Sequence, residues 1–190
     1  MRKYLYILFL SGYILMPVQA SPDVNKAIIE IISNATQYED FKTLMPFIRD
    51  IPYIFRYIPV LSPLKVDDKV RLTSHYGYRK DPFTGERKFH TGIDYTTEYA
   101  TFIYATADGT VTFSGNKAGY GQCIIIEHDF GFETVYAHLS GIKCNKEAFV
   151  KKGSIIGFLG HTGRATGQHI HYEIKKNGIY QNPINYIENE

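Results

Sequence analysis

From Val66 onward the chain is written in short apolar runs of four to six residues, each closed by turn residues. That punctuation leaves no room for long helices and points to an antiparallel sheet system. The strand candidates are Thr101–Ala105, Thr110–Phe113, Gln122–Glu127, Glu133–Tyr136, Ser154–Leu159 and Ile170–Ile174. Asp108-Gly109 is a strong turn dipeptide between the first two runs, and Asp129-Phe130-Gly131 reads as a hairpin loop. The 16 tyrosines, 12 phenylalanines and 16 glycines suit the same β-rich reading. No repeat period is visible. The expected fold class is mainly β, an antiparallel β-sheet or β-sandwich domain over 66–190 with a short helical N-terminal lead-in.

The lead-in is Ser21–Lys65. Asn25–Ile32 is an apolar-rich helical run, and Phe41–Ile48 repeats large apolar residues at helical spacing. Pro46, Pro52, Pro59 and Pro63 then punctuate the chain, each disfavouring helix at the residue before it. Before the lead-in, Arg2 and Lys3 precede an apolar stretch, Tyr4–Met16, and the small-residue site Val18-Gln19-Ala20. This is the layout of a secretory signal peptide, residues 1–20, cut after Ala20. The apolar stretch is shorter than the ~20 residues a bilayer-spanning helix needs, so no stable membrane span is expected once the signal is removed. Ser21 leaves no lipid-bearing cysteine after the cut. The expected location is exported: periplasmic, or extracellular at the cell wall.

A net charge of +2, with no basic cluster interleaved with aromatics, excludes nucleic acid as the expected partner. Cys123 and Cys144 are the two cysteines. In an exported protein they either form one disulfide or stay as free structural thiols, and spacing does not decide between these. Neither belongs to a close-spaced zinc knuckle.

Two short constellations carry chemistry. His90-Thr91-Gly92-Ile93-Asp94 is an H-x-x-x-D run, and His169-Ile170-His171 is an H-x-H run. A histidine, a carboxylate and a second histidine supply the three N/O ligands that a catalytic Zn²⁺ uses when one position stays open for water. On a strand, His169, His171 and Glu173 share one face, with Ile170 and Tyr172 on the other. Spacing alone leaves open which histidine of the H-x-H run would bind metal. For His90 and Asp94, Gly92 permits a loop-to-strand turn that brings both side chains together.

Ser74–Gly85 followed by Phe89–Asp94 resembles the opening motif of the lysostaphin/LytM-type zinc metallopeptidases. Tyr136-Ala137-His138-Leu139-Ser140 is similar to their middle motif. Val150–Gly153, Gly157 and Gly160–Ile174 resemble their closing segment. The likeness covers about Ser74 to Ile187, in order and without a missing block. It implies the lysostaphin-like (duplicated hybrid motif) fold, one Zn²⁺ per chain held by His90, Asp94 and His171, and His138 and His169 as catalytic, non-ligand histidines. It further implies a zinc metalloendopeptidase acting on peptidoglycan peptides. No H-E-x-x-H helix presents a glutamate base, so histidine is the natural substitute. The family pattern often has Pro and Gly where this chain has Glu98 and Ala100, and Asn or Ser where His161 stands. These departures touch loop shape, not the proposed ligands.

The remaining candidates are peripheral. His161, in a Gly-rich loop, is a candidate substrate contact. Arg79 and Tyr136 fit either a groove wall or ordinary packing. His128 is expected to be a surface turn residue, and His75 to border the cleft or play a structural part. Two other functional readings exist. One is a catalytically silent relative that binds cell wall or activates a partner hydrolase, although such relatives lose ligands that this chain keeps. The other is a carrier domain, because Val150–Gly153 with Gly157 also resembles biotin- and lipoyl-carrier hairpins; the export signal argues against that.

Overall fold

The computed structural model describes residues 22–65, 69–97 and 101–187. The expected signal peptide, with Glu98 and Ala100, lies outside them. Among the described residues no helix is long and apolar enough to cross a membrane.

Helix α1 (Pro22–Asn34) buries Ile28 and Ile32, one turn apart on a single face. The second helical piece is more broken than its periodicity suggests. Tight 3₁₀ turns at Tyr38–Asp40 and Lys42–Leu44 precede two one-turn helices, α2 (Met45–Ile48) and α3 (Pro52–Phe55). Pro46 and Pro52, read as punctuation, sit inside the first turns of α2 and α3. There the missing N–H has no helical partner to lose and the fixed φ favours the helix.

Among the described residues thirteen strands follow: β1 (Arg71–Ser74), β2 (Gly77–Lys80), β3 (Arg87–His90), β4 (Ile93–Thr96), β5 (Phe102–Tyr104), β6 (Gly109–Lys117) and β7 (Gly121–His128). Then come β8 (Phe132–Leu139), β9 (Gly141–Ile142), β10 (Phe149–Val150), β11 (Ile155–Phe158), β12 (Ile170–Lys176) and β13 (Ile179–Gln181). Every pairing is antiparallel. The main sheet has the order β1-β4-β12-β8-β7-β6-β10, with β13 beside β12. A small sheet, β5-β11-β9, and the hairpin β2-β3 complete the set. The small sheet lies against the main one: an added Cβ at Gly157 of β11 would fall 3.2 Å from Leu139 of β8 and 3.8 Å from Ile124 of β7. Such a mainly β, antiparallel architecture is the expected class.

Two expectations change. Asp108-Gly109 is not a hairpin tip, because β5 and β6 belong to different sheets and the segment carries the chain from one to the other. Gly109 is required by close approach, since a Cβ there would stand 2.4 Å from the Glu127 carbonyl oxygen. His128 is not a surface turn residue. It is 5% exposed, with Nδ1 2.7 Å from the Asp108 carbonyl and Nε2 2.7 Å from Thr134 Oγ1. From there a buried chain of hydroxyls runs through Thr134, Tyr136 and Thr106 to Tyr172. The imidazole is needed to satisfy polar groups that the sheet has cut off from water.

The lead-in is fastened to the same core. Arg56 pairs with the buried Asp108 carboxylate, which also accepts the Lys152 N–H at 2.7 Å. Asn177 and Gln181, at the β12–β13 end of the sheet, donate to the carbonyls of Ser33, Ala35 and Thr36. Phe41 stacks edge-on against Phe132. Cys123 is buried, Cys144 half-buried, and both are free thiols; no disulfide forms.

Burial drives the pKa of His128 down to about 4, the Asp108 carbonyl only partly offsetting it. A histidine depressed in the fold takes up a proton more readily when unfolded, so stability falls as pH drops from about 6.5 toward 4. This single group accounts for a loss of up to about 3 kcal/mol across that window. Urea unfolding at pH 7 and pH 4.5 measures it, and His128→Gln, less stable at pH 7, removes that part of the pH dependence.

Candidate active site

The antiparallel register of β4 on β12 sets Asp94 opposite His171, and opposite residues in such a pair share a face. His90 ends β3, four residues before Asp94. The link between them passes so close to β12 that an added Cβ at Gly92 would lie 2.3 Å from the Tyr172 carbonyl oxygen. Gly92 is therefore needed for space, a sharper reason than turn flexibility.

The three side chains are buried and converge. His90 Nε2 lies 2.9 Å from His171 Nδ1 and 3.2 Å from Asp94 Oδ1. His171 Nδ1 is 2.9 Å from the same Oδ1. The outward nitrogens are already engaged: His90 Nδ1 faces the His75 carbonyl at 2.8 Å, and His171 Nε2 faces Glu173 Oε1 at 2.9 Å. His75 thus contributes its backbone to the site, while its own side chain is exposed. One nitrogen of each ring and one carboxylate oxygen remain, all within 4.8 Å of one another. Ligands of a tetrahedral zinc, bound at roughly 2.0–2.1 Å, stand about 3.3 Å apart. The observed spacing is close to that, and the N/N/O set suits Zn²⁺.

Burial alone would raise the Asp94 pKa, but hydrogen bonds from His171 and His90 outweigh it and hold the group well below the usual carboxylate range. Burial would lower that of His171, yet Asp94 and Glu173 on either side lift it to about 9.

His138 and His169 complete the floor, their rings 4.7 Å apart. His169 Nε2 is 4.0 Å from Asp94 Oδ1. His138 Nδ1 donates to the Thr162 carbonyl and His169 Nδ1 to the Gly167 carbonyl, each at 2.8 Å. These bonds place a proton on Nδ1 of each ring, so that in the neutral imidazole Nε2 is the acceptor. Burial holds the His138 pKa down at about 4.

His138 reaches the cleft through a distortion. Strict alternation along β8 would place it with Tyr136, on the face away from His171. A register shift between β7 and β8, where Ile124 faces Tyr136 but Gln122 faces Leu139, inserts an extra residue. His138 takes φ 62° there. A bulge that turns a side chain and a left-handed non-glycine residue are both costly, and cluster at functional sites.

The surrounding cleft encloses about 710 Å³. One wall is the β2–β3 hairpin, with Arg79, Phe83 and Lys88; the other carries Tyr120, Arg164 and Gln168. Arg164 joins the walls at one end through a 2.7 Å bond to Asp81 and by lying over the Phe83 ring. Arg79 stands in the wall, 3.6 Å from Asp94 Oδ2. Tyr136 does not: it is fully buried, its hydroxyl held by Thr106 and Thr134. It packs in the core and is dropped as a substrate contact. His161 is exposed on its loop, 3.2 Å from the Ala165 carbonyl, and is not among the cleft-lining residues. Tyr120, Thr91 and Thr162 went unnoticed in the sequence. Tyr120, between Gly119 and Gly121, offered a weak loop signal; the other two offered none.

Fold, cleft and donor set together define a β-sheet protein built around a candidate metal centre of the metallopeptidase type. The model of Peptidase family M23 matches residues 88–183, and the chain belongs to that family. It is 47% identical over 114 residues to the DD-carboxypeptidase/endopeptidase Mpg of Neisseria meningitidis serogroup B, a match covering 60% of this chain and 26% of that protein. The chain thus spans about a quarter of the length of this relative. A crystal structure of a zinc containing peptidase from Vibrio cholerae aligns with TM-score 0.59 and 32% identity over 66% of this chain and 39% of that one. The catalytic domain of lysostaphin from Staphylococcus simulans aligns with TM-score 0.56 and 26% identity, over 64% and 96%.

Thr162 Oγ1 accepts the Gln122 N–H at 2.9 Å and donates to the Leu139 carbonyl at 2.7 Å. It therefore fixes the loop whose carbonyl orients His138. Thr162→Val keeps the shape but strands both backbone groups, and costs about 1–3 kcal/mol. Urea unfolding checks this. The stoichiometry of metal uptake stays at that of the parent.

Proposed function

We propose that this chain is an exported, zinc-dependent endopeptidase that hydrolyses peptide cross-links or stems of bacterial cell-wall peptidoglycan. In this reading residues 1–20 are the signal peptide, 21–65 the lead-in and 66–190 the catalytic domain. The observation that carries it is the convergence of His90, Asp94 and His171 on one point, with two further imidazoles beside it in an open cleft. The family relationship and the names of the relatives support the substrate class. The silent-relative reading is less well supported, because the donor set is whole.

His90 Nε2, Asp94 Oδ1 and His171 Nδ1 would hold the zinc ion. A Zn²⁺ ion held there would supply a Lewis acid, able to bring the pKa of a water to about 7 and to polarise an amide carbonyl. The chain's own residues do the rest. His138 and His169 present Nε2 as acceptors and are placed to orient the attacking water, take its proton and pass it to the leaving amine. The Thr162 and Gly167 carbonyls keep both rings in that tautomer. Arg79 backs Asp94 from the hairpin wall and is a candidate substrate contact there.

Digestion of purified wall material by the mature protein, with and without chelator and followed by mass analysis, tests the proposal. Chelator-sensitive peptide cleavage restored by added zinc is expected. Absence of such cleavage from walls of several cross-link types would sink the endopeptidase reading. His138→Ala and His169→Ala each lower the rate by about 10²–10⁴-fold, while metal analysis finds zinc retained.

A further inference from the structure

Behind His171 lies a carboxylate that the proposed reaction does not use. Glu173 follows two residues later on the same face of β12 and is fully buried. Three donors converge on its Oε1: His171 Nε2 at 2.9 Å, the Tyr120 hydroxyl at 3.1 Å, and the Thr91 hydroxyl. Its Oε2 is buried with no hydrogen-bond partner.

This one-sided arrangement is poor design for stability. A buried carboxylate is tolerated only where partners repay its desolvation, and a half-satisfied one repays it incompletely. The three donors instead lock Oε1 at a single point, in line with the outward nitrogen of His171. The two anchors have different origins: Thr91 belongs to the H-x-x-x-D run beside His90, while Tyr120 comes from the turn that opens β7 and also lines the cleft. One oxygen thus gathers segments on both sides of the site.

We propose that Glu173 is the positioning residue of His171: it accepts a hydrogen bond from Nε2–H, fixes the ring tautomer and orientation, and so presents Nδ1 to the metal, with Thr91 and Tyr120 holding the carboxylate in place. The inference rests on the zinc reading above. A carboxylate behind a metal-bound imidazole also raises the ring's basicity, and loss of such a partner typically weakens metal binding about 10–100-fold.

Two measurements test it without relying on turnover. Long-range ¹H–¹⁵N spectra of the zinc-loaded protein are expected to find His171 protonated at Nε2 and metal-bound at Nδ1. Competition with a chromophoric chelator is expected to find zinc affinity in Glu173→Gln lower by about 10-fold or more. Should that variant not fold, Thr91→Val removes one donor without altering a proposed ligand, and is expected to weaken zinc binding in the same direction but less. Zinc bound through Nε2 of His171 overturns the inference, as does an affinity within about twofold of the parent in whichever variant folds. A parent protein that takes up no stoichiometric zinc overturns the metal reading itself, a distinguishable result.

Discussion

The pairing of β4 with β12 is the constraint on which the site depends. Their register puts Asp94 opposite His171, and a slip of one residue would turn His169, His171 and Glu173 to the opposite face together. The register is guarded from both sides of the sheet. Ile93, Ile170 and Tyr172 are fully buried on the core side, so a slip would also bring polar groups into the core. Tyr172 adds a hydroxyl bond to Thr106, tying β12 into the buried network that ends at His128 and Asp108. The apolar face holds the strand, and the strand holds the donors.

The second element is the distortion of β8. A regular strand there would bury His138 beside Tyr136. The extra residue, the left-handed φ and the pinned Thr162 loop convert a core position into a cleft position. Gly121 and Gly163 make that pinning possible: both have positive φ, and an added Cβ at Gly121 would lie 2.4 Å from the Thr162 carbonyl carbon. Two backbones in contact at that point need residues without side chains.

These features explain what the sequence could and could not reveal. Period-two alternation was enough to place His169, His171 and Glu173 on one face, because β12 is regular where it pairs with β4 and β8. It was blind to His138, whose placement breaks the period; only the ordered family motifs pointed there. Segments such as β1 to β3 escaped notice, since their burial is partial and their sequences polar. Position at a strand end suggested a surface residue for His128, but the polar groups it serves, Asp108 and Thr134, meet it only in the folded sheet. For Tyr136 the sequence left groove wall and ordinary packing both open, for a related reason. A tyrosine next to a catalytic motif looks like a groove wall until its hydroxyl is found to have interior partners.

The remaining asymmetry lies in where the molecule accepts unfavourable interactions. Two imidazoles and a carboxylate are held within 4.8 Å, His138 is strained, and Glu173 Oε2 has no partner. All lie on the cleft side of the same few strands. The opposing requirements are met elsewhere: β7 buries Cys123–Ile126 without interruption, and the lead-in adds Ile32, Phe41, Ile48 and Ile54 to a continuous core. Among the described residues none of 22–65 lines the cleft, so the lead-in supports the sheet from behind and leaves the front open. Strain confined to one face and packing to the other is what a sheet must do to keep converging polar groups poised for a cation.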